Sequence, residues 1–211
     1  MVVSISIRDD IARVQKRLTA IEKKQIPFAV AGAINATLFE VRKHIVGKTA
    51  PAAFTVRNTR FMTAALRVEK ANKRKLTGAL FDRLGRASLA LHAKGGTKRA
   101  RSGRLAIPLE FVAGKRKRSG KIPERLKPKQ LLEAPGPRGR KAFVITFKSG
   151  QEAIVRRKTK KRLPLQVLYL FESSARIKKT FRFFEDATAV SRRALPIQFR
   201  KAFKRAMATA R

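Results

Sequence analysis

The chain opens with a short polar-apolar lead and then settles into a spacing of three and four. Ile11, Val14, Leu18 and Ile21 form one narrow apolar stripe over residues 9–24, opposite Arg13, Lys16, Arg17, Lys23 and Lys24. That spacing predicts an amphipathic helix. Asp9 or Asp10 is placed to cap it, since a carboxylate accepts the free amides of a first turn. Pro27 is read as opening a second helix that runs to about Val46, because proline is tolerated in a first turn. Its apolar set is Val30, Ile34, Leu38, Val41 and Ile45. Ala29, Ala31, Gly32, Ala33 and Ala36 would let a second helix or a second subunit approach closely.

From Pro51 the periodicity changes. Residues 64–69 (AALRVE) alternate as a strand does, and Leu76 to Leu84 fit either a strand or a short helix. Residues 104–111 (RLAIPLEF) predict a strand interrupted at Pro108, hence an edge strand. Residues 141–147 (KAFVITF) and 152–156 (EAIVR) flank Ser149-Gly150 and predict a hairpin. Residues 165–171 (LQVLYLF) predict a further strand. Helical spacing returns in Phe181 and Phe184, then in Leu195, Phe199, Phe203 and Met207, with Pro196 predicting a break between helices near 182–194 and 196–210. This Phe stripe reads as packing against the sheet.

Helices, then strands, then helices is an α+β order: a small antiparallel sheet with N-terminal and C-terminal helices and long basic loops. The expectation is a single domain over 1–211, with helices at about 9–46 and 180–210 and the sheet and its insertions at about 60–172.

Charge alters this picture more than composition does. There are 52 Lys+Arg against 13 Asp+Glu in 211 residues, a net charge of +39. A folded body of this size repels itself at that charge unless an anion compensates, and a phosphate backbone is the densest anion a protein meets. A hydrophobic fraction of 44% with 14 Phe excludes a disordered basic tail. Residues 94–162 hold 23 Lys+Arg and four acids. Within them GGTKRARSGR (95–104), GKRKRSGK (114–121) and PGPRGRK (135–141) read as extended, mobile loops. The candidate phosphate contacts are Lys98, Arg99, Arg101, Arg104, Lys115, Arg116, Lys117, Arg118, Arg156, Arg157, Lys158, Lys160, Lys161 and Arg162. With no zinc-finger spacing, basic zipper or aromatic RNA-reading strand, contact is expected to the backbone of the duplex and not to base edges.

Other chemistry finds little purchase. There are no cysteines, which removes disulfides and thiolate metal sites. His44 and His92 lack companions at ligand spacing, the acids are scattered, and no nucleophile-elbow pattern occurs. Gly95-Gly96-Thr97-Lys98 lacks the remainder of a phosphate-binding loop and reads as a turn. The expectation is a non-enzymatic protein without cofactor or metal. The longest apolar-leaning stretch, from Pro27 to Phe39, falls short of the ~20 residues of a membrane span, and the N-terminus carries no signal- or transit-peptide pattern.

Four segments together resemble the tail-completion, or minor tail protein Z, family of tailed bacteriophages. They are IPFAVAGAINATLFEVRKHI (26–45), FTVRNTRFM (54–62) followed by Glu69-Lys70-Ala71, GGTKRARSGRLAIP (95–108), and VLYLFESSARIKKTFRFFEDA (167–187). The resemblance implies a basic structural protein of the virion, made in the host cytoplasm and placed at the head–tail connection. It implies copies in a ring, commonly six-fold, next to neck, tail-tube or portal proteins and around double-stranded DNA, with no membrane partner. A ribosomal or other RNA-binding structural protein, a capsid-internal DNA-binding protein and, more distantly, a nuclease are the competing readings of the same composition.

Overall fold

The structure, a computed structural model, describes residues 1–6, 20–85, 88–100, 103–117, 119–134, 139 and 141–209. The helix expected over 9–24 therefore falls mostly outside the described residues, as do Asp9 and Asp10. The single domain expected over 1–211 is resolved into two compact units: Met1–Gly95 with Lys178–Arg211, and the stretch Gly96–Ile177 inserted between them. The fold class is α+β, with every strand pair antiparallel.

The first unit is built on two long helices, α1 (Ala20–His44) and a C-terminal helix that packs along it, Phe183–Ala208. The apolar set of α1 is buried as its spacing predicts: Val30, Ile34, Leu38 and Val41, with Ile26 before it and Ile45 after. Pro27 lies inside α1 and Pro196 inside the C-terminal helix, so neither marks the boundary expected of it. A proline costs a helix one backbone hydrogen bond and crowds the preceding turn. Here the buried stripe continues across each one, from Ile26 to Val30 and from Ala194 to Ala206. The small residues of α1 serve this helix pair, since a Cβ on Gly32 would stand 3.6 Å from Ala202 Cβ. The Phe stripe packs into the same core, with Phe181 and Phe183 fully buried and Phe184, Phe199 and Phe203 partly so. Beyond α1 a π-helical turn (Ile45–Thr49) leads into α2 (Ala50–Ala53), and Thr49 Oγ1 donates to Asp186 Oδ2 at 2.7 Å.

A three-stranded sheet completes the unit in the order β1 (Val2–Ser6), β3 (Thr77–Asp82), β2 (Leu66–Glu69). The segment 76–84, open between strand and helix on periodicity, is strand at its centre. The strand expected over 64–69 begins only at Leu66, because Ala64 and Ala65 close α3 (Thr59–Ala65), capped by Asn58, whose side chain accepts from Arg60 N. Asn35 fastens α1 to the sheet: Nδ2 donates to Ala71 O at 2.9 Å and Oδ1 accepts from Ala71 N at 2.7 Å. A short α4 (Leu89–Lys94) ends the segment.

The inserted unit holds a four-stranded sheet in the order β5 (Leu105–Pro108), β8 (Leu165–Glu172), β7 (Glu152–Arg157), β6 (Phe143–Thr146). β5 is an edge strand, as Pro108 requires, and β6 and β7 form the expected hairpin. Against one face lie α5 (Glu110–Gly114), a 3-10 turn (Glu124–Leu126) and α6 (Pro128–Glu133), burying Val112, Leu126 and Leu131 with Ile154, Leu168 and Tyr169. The residues at 95–104 are not all loop. Gly96–Arg99 form β4, paired with β9 (Ser174–Ile177), and this two-stranded ribbon continues the β5–β8 pair outward. Among the described residues no helix is long and apolar enough to cross a membrane.

Candidate nucleic-acid interface

The predicted cations fall into two groups at opposite ends of β8. Eight strand residues at ~3.3 Å each separate them by roughly 26 Å along the strand.

At the Glu172 end stand Lys98, Arg99 and Arg104. Lys98 is opposite Ala175 and Arg99 opposite Ser174, so strand alternation sends their side chains to opposite faces of the ribbon. Arg176, opposite Thr97, joins Arg99 on its face. Nothing in the sequence marks Arg176, which lies outside the dense runs, and only the pairing with β4 brings it there. Arg104 forms an ion pair with Glu152, which satisfies much of its charge internally. Arg101 lies outside the described residues.

At the Leu165 end two runs separated by some forty residues meet around one ring. Lys115 Nζ stands 6.0 Å and the Arg156 guanidinium 5.3 Å from the centroid of Phe111, on α5. Cations prefer the electron-rich face of an aromatic ring, so Phe111 holds both in place. Arg156 Nη2 also donates to Gln166 Oε1 across the β7–β8 pair at 3.1 Å. Arg157, next along β7, points to the other face, with its guanidinium 5.9 Å from the Phe143 centroid. Lys158 N donates to Pro164 O at 3.1 Å and closes the β7–β8 connection, which presents Lys160, Lys161 and Arg162 exposed at its tip.

Residues 115–117 lead into a tight turn and not into an extended loop. Lys117 N donates to Lys121 O at 2.9 Å and Gly120 N to Lys117 O at 2.8 Å, with Gly120 in the left-handed region at φ +78°. Arg116 is half-buried and donates to Gly120 O at 3.1 Å, so its role begins with holding this turn. Lys115 and Lys117 are exposed, and Arg118 lies outside the described residues. Beneath the turn Tyr169 is buried and donates to Leu126 O at 2.8 Å. Burial pushes its hydroxyl pKa up, and Arg116 pulls it partly back.

With 52 basic side chains against 13 acids, most of the positive charge in the chain has no carboxylate to pair with; six ion pairs are seen among the described residues. Lys115, Lys117, Lys160, Lys161 and Arg162 are in none of the six. His92 packs edge-on against Phe54 at 5.1 Å, while His44 ends α1. Among the described residues no three His, Cys, Asp or Glu side chains cluster as metal ligands would. No family model, curated protein or solved structure matches the chain.

Proposed function

We propose that the protein binds the backbone of nucleic acid without reading its sequence, as a non-enzymatic structural component of the head–tail connection of a tailed phage. The observation that carries the binding is the meeting of Lys115 and Arg156 over Phe111 at one end of β8, where the β7–β8 connection also presents Lys160, Lys161 and Arg162 exposed. Exposed lysines on a fixed scaffold suit phosphates at recurring spacing and have no means of distinguishing bases. The phage setting rests on the resemblance of the four sequence segments. In that setting copies form a ring around the exiting DNA, beside neck, tail-tube or portal proteins.

The test is equilibrium binding of two duplexes of unrelated sequence over a salt series. Both should bind alike, with log affinity falling by ~0.9 per phosphate neutralised for each log unit of salt. The variant K115E/K117E/K160E/K161E should bind at least ten-fold more weakly and lose ~3 from the salt slope. Unchanged affinity in that variant, or strong preference for one duplex, would refute the reading. Electron microscopy of the purified protein, alone and with duplex, tests the ring.

A further inference from the structure

The first unit carries a cationic cleft that no run of basic residues announces. Phe39 and Arg42 stand one turn apart on α1. Arg42 Nε donates to Leu66 O at 2.8 Å and Nη2 to Thr63 O at 2.5 Å, which fixes the guanidinium over the junction of α3 and β2. Two of its five N–H groups are used in these bonds. Arg67, from β2, and Arg83, just after β3, also line the cleft, and both are exposed. The concavity is about 390 Å³, within the size range of small-ligand sites.

The backbone adds a donor. β2 is an edge strand in the order β1-β3-β2. Leu66 O faces outward, since it accepts from Arg42. In an antiparallel pair every second residue faces the same way, so Val68 N–H also points out along this edge, beside the arginines. Among the described residues no acid lines the cleft. Of the three nearest in sequence, Glu40 accepts from Gln198 Nε2 at 3.2 Å, Glu69 is paired with Lys75 at 2.9 Å, and Asp82 Oδ1 accepts from Leu84 N and Gly85 N.

A bland account covers part of this. Arg42 satisfies the last carbonyls of α3, as a basic residue at a helix C-terminus does. It does not account for three guanidinium groups around one concavity with no acid among its described lining residues. Guanidinium is the side chain whose planar fork matches an oxyanion. We propose that the cleft of Arg42, Arg67 and Arg83 binds a phosphate of the nucleic-acid backbone, as a second contact independent of the hairpin tip. This inference rests on the reading of the protein as a backbone binder and shares none of its residues.

The experiment compares R67Q/R83Q with a charge-matched control, R192Q/R200Q, whose arginines are exposed on the C-terminal helix. A labelled duplex is titrated over a salt series, beside the tip variant K115E/K117E/K160E/K161E. Neither Arg67 nor Arg83 makes a side-chain hydrogen bond or ion pair among the described residues, so circular dichroism should show both pairs folded as wild type. R67Q/R83Q should weaken binding about ten-fold and lower the salt slope by 1 to 2, with the control changing less than half as much. Equal effects of the two pairs, with the tip variant still impaired, would remove the cleft and leave the proposed function standing. No effect in either the cleft or the tip variant would remove both. Inorganic phosphate and polyglutamate are titrated as competitors. If free phosphate displaces duplex from wild type but not from R67Q/R83Q, at concentrations matching the duplex phosphates, the site takes a free anion and the inference fails. If polyglutamate binds as tightly per charge and loses the same share in R67Q/R83Q, the cleft belongs to an acidic protein and the inference fails.

Discussion

Tyr169 joins two elements of the inserted unit through one oxygen, because its hydroxyl meets the Leu126 carbonyl beneath the sheet. Y169F leaves that carbonyl without a donor in a buried place and should destabilise the protein by about 1–3 kcal/mol in denaturant unfolding. The same residue sets a pH response. Its folded pKa is raised by burial, so its stabilising contribution is full below the ordinary tyrosine value, near 10, and is lost as pH rises through the folded value. Stability of Y169F measured from pH 8 to 11 should therefore fall less steeply than that of the wild type. At this scale the sequence was uneven. Exposed Lys115, Lys117, Lys160 and Lys161 were legible as cations in dense runs. The engagement of Arg104 by Glu152 was not, because its partner stands 48 positions away and reaches it only through the sheet. Arg42, Arg67 and Arg83 were equally invisible, since they lie outside the dense basic runs and come from separate elements of the chain.

Among the elements, α1 and β3 pack closely at Gly78. A Cβ on Gly78 would lie 2.6 Å from Leu38 Cδ1, 3.0 Å from Ile34 Cγ2 and 3.1 Å from the Glu69 carbonyl. Leu38 is fully buried and the carbonyl is backbone, so neither can yield cheaply. G78A should lower stability by about 1–3 kcal/mol, read as a drop in the denaturant midpoint. The apolar stripe of α1, the β6–β7 hairpin and the edge position of β5 were all legible, since each is written in local periodicity or in one proline. Pro27 and Pro196 misled, because packing of one long helix along another outweighed a local penalty. β4 and β9 were missed for the opposite reason. Gly96-Thr97-Lys98-Arg99 has no apolar alternation, and it becomes a strand only by pairing with residues some eighty positions away.

For the molecule as a whole, +39 gives salt two opposite effects. Without nucleic acid, screening relieves self-repulsion, so Tm should rise as monovalent salt goes from about 50 to 500 mM and the Debye length shortens. Bound to duplex, the complex should weaken over the same range. A flat Tm in the free protein would mean that its charges are already balanced by a route not visible among the six ion pairs. Charge at this scale was plain in the sequence, and so was the α+β class. The division into two compact units was not, because the boundary at Gly96 and Ile177 is made by strand pairing and not by any linker-like stretch.

That boundary has a topological consequence. Gly96 and Ile177 face one another across the first rung of a ladder, so the inserted stretch begins and ends at neighbouring positions. Once that ladder zips, the two helices of the first unit are joined through a short closed span in place of some eighty free residues, and the entropy of bringing them together shrinks accordingly. The closing entropy is set by those bottom rungs and depends little on the length of chain beyond them.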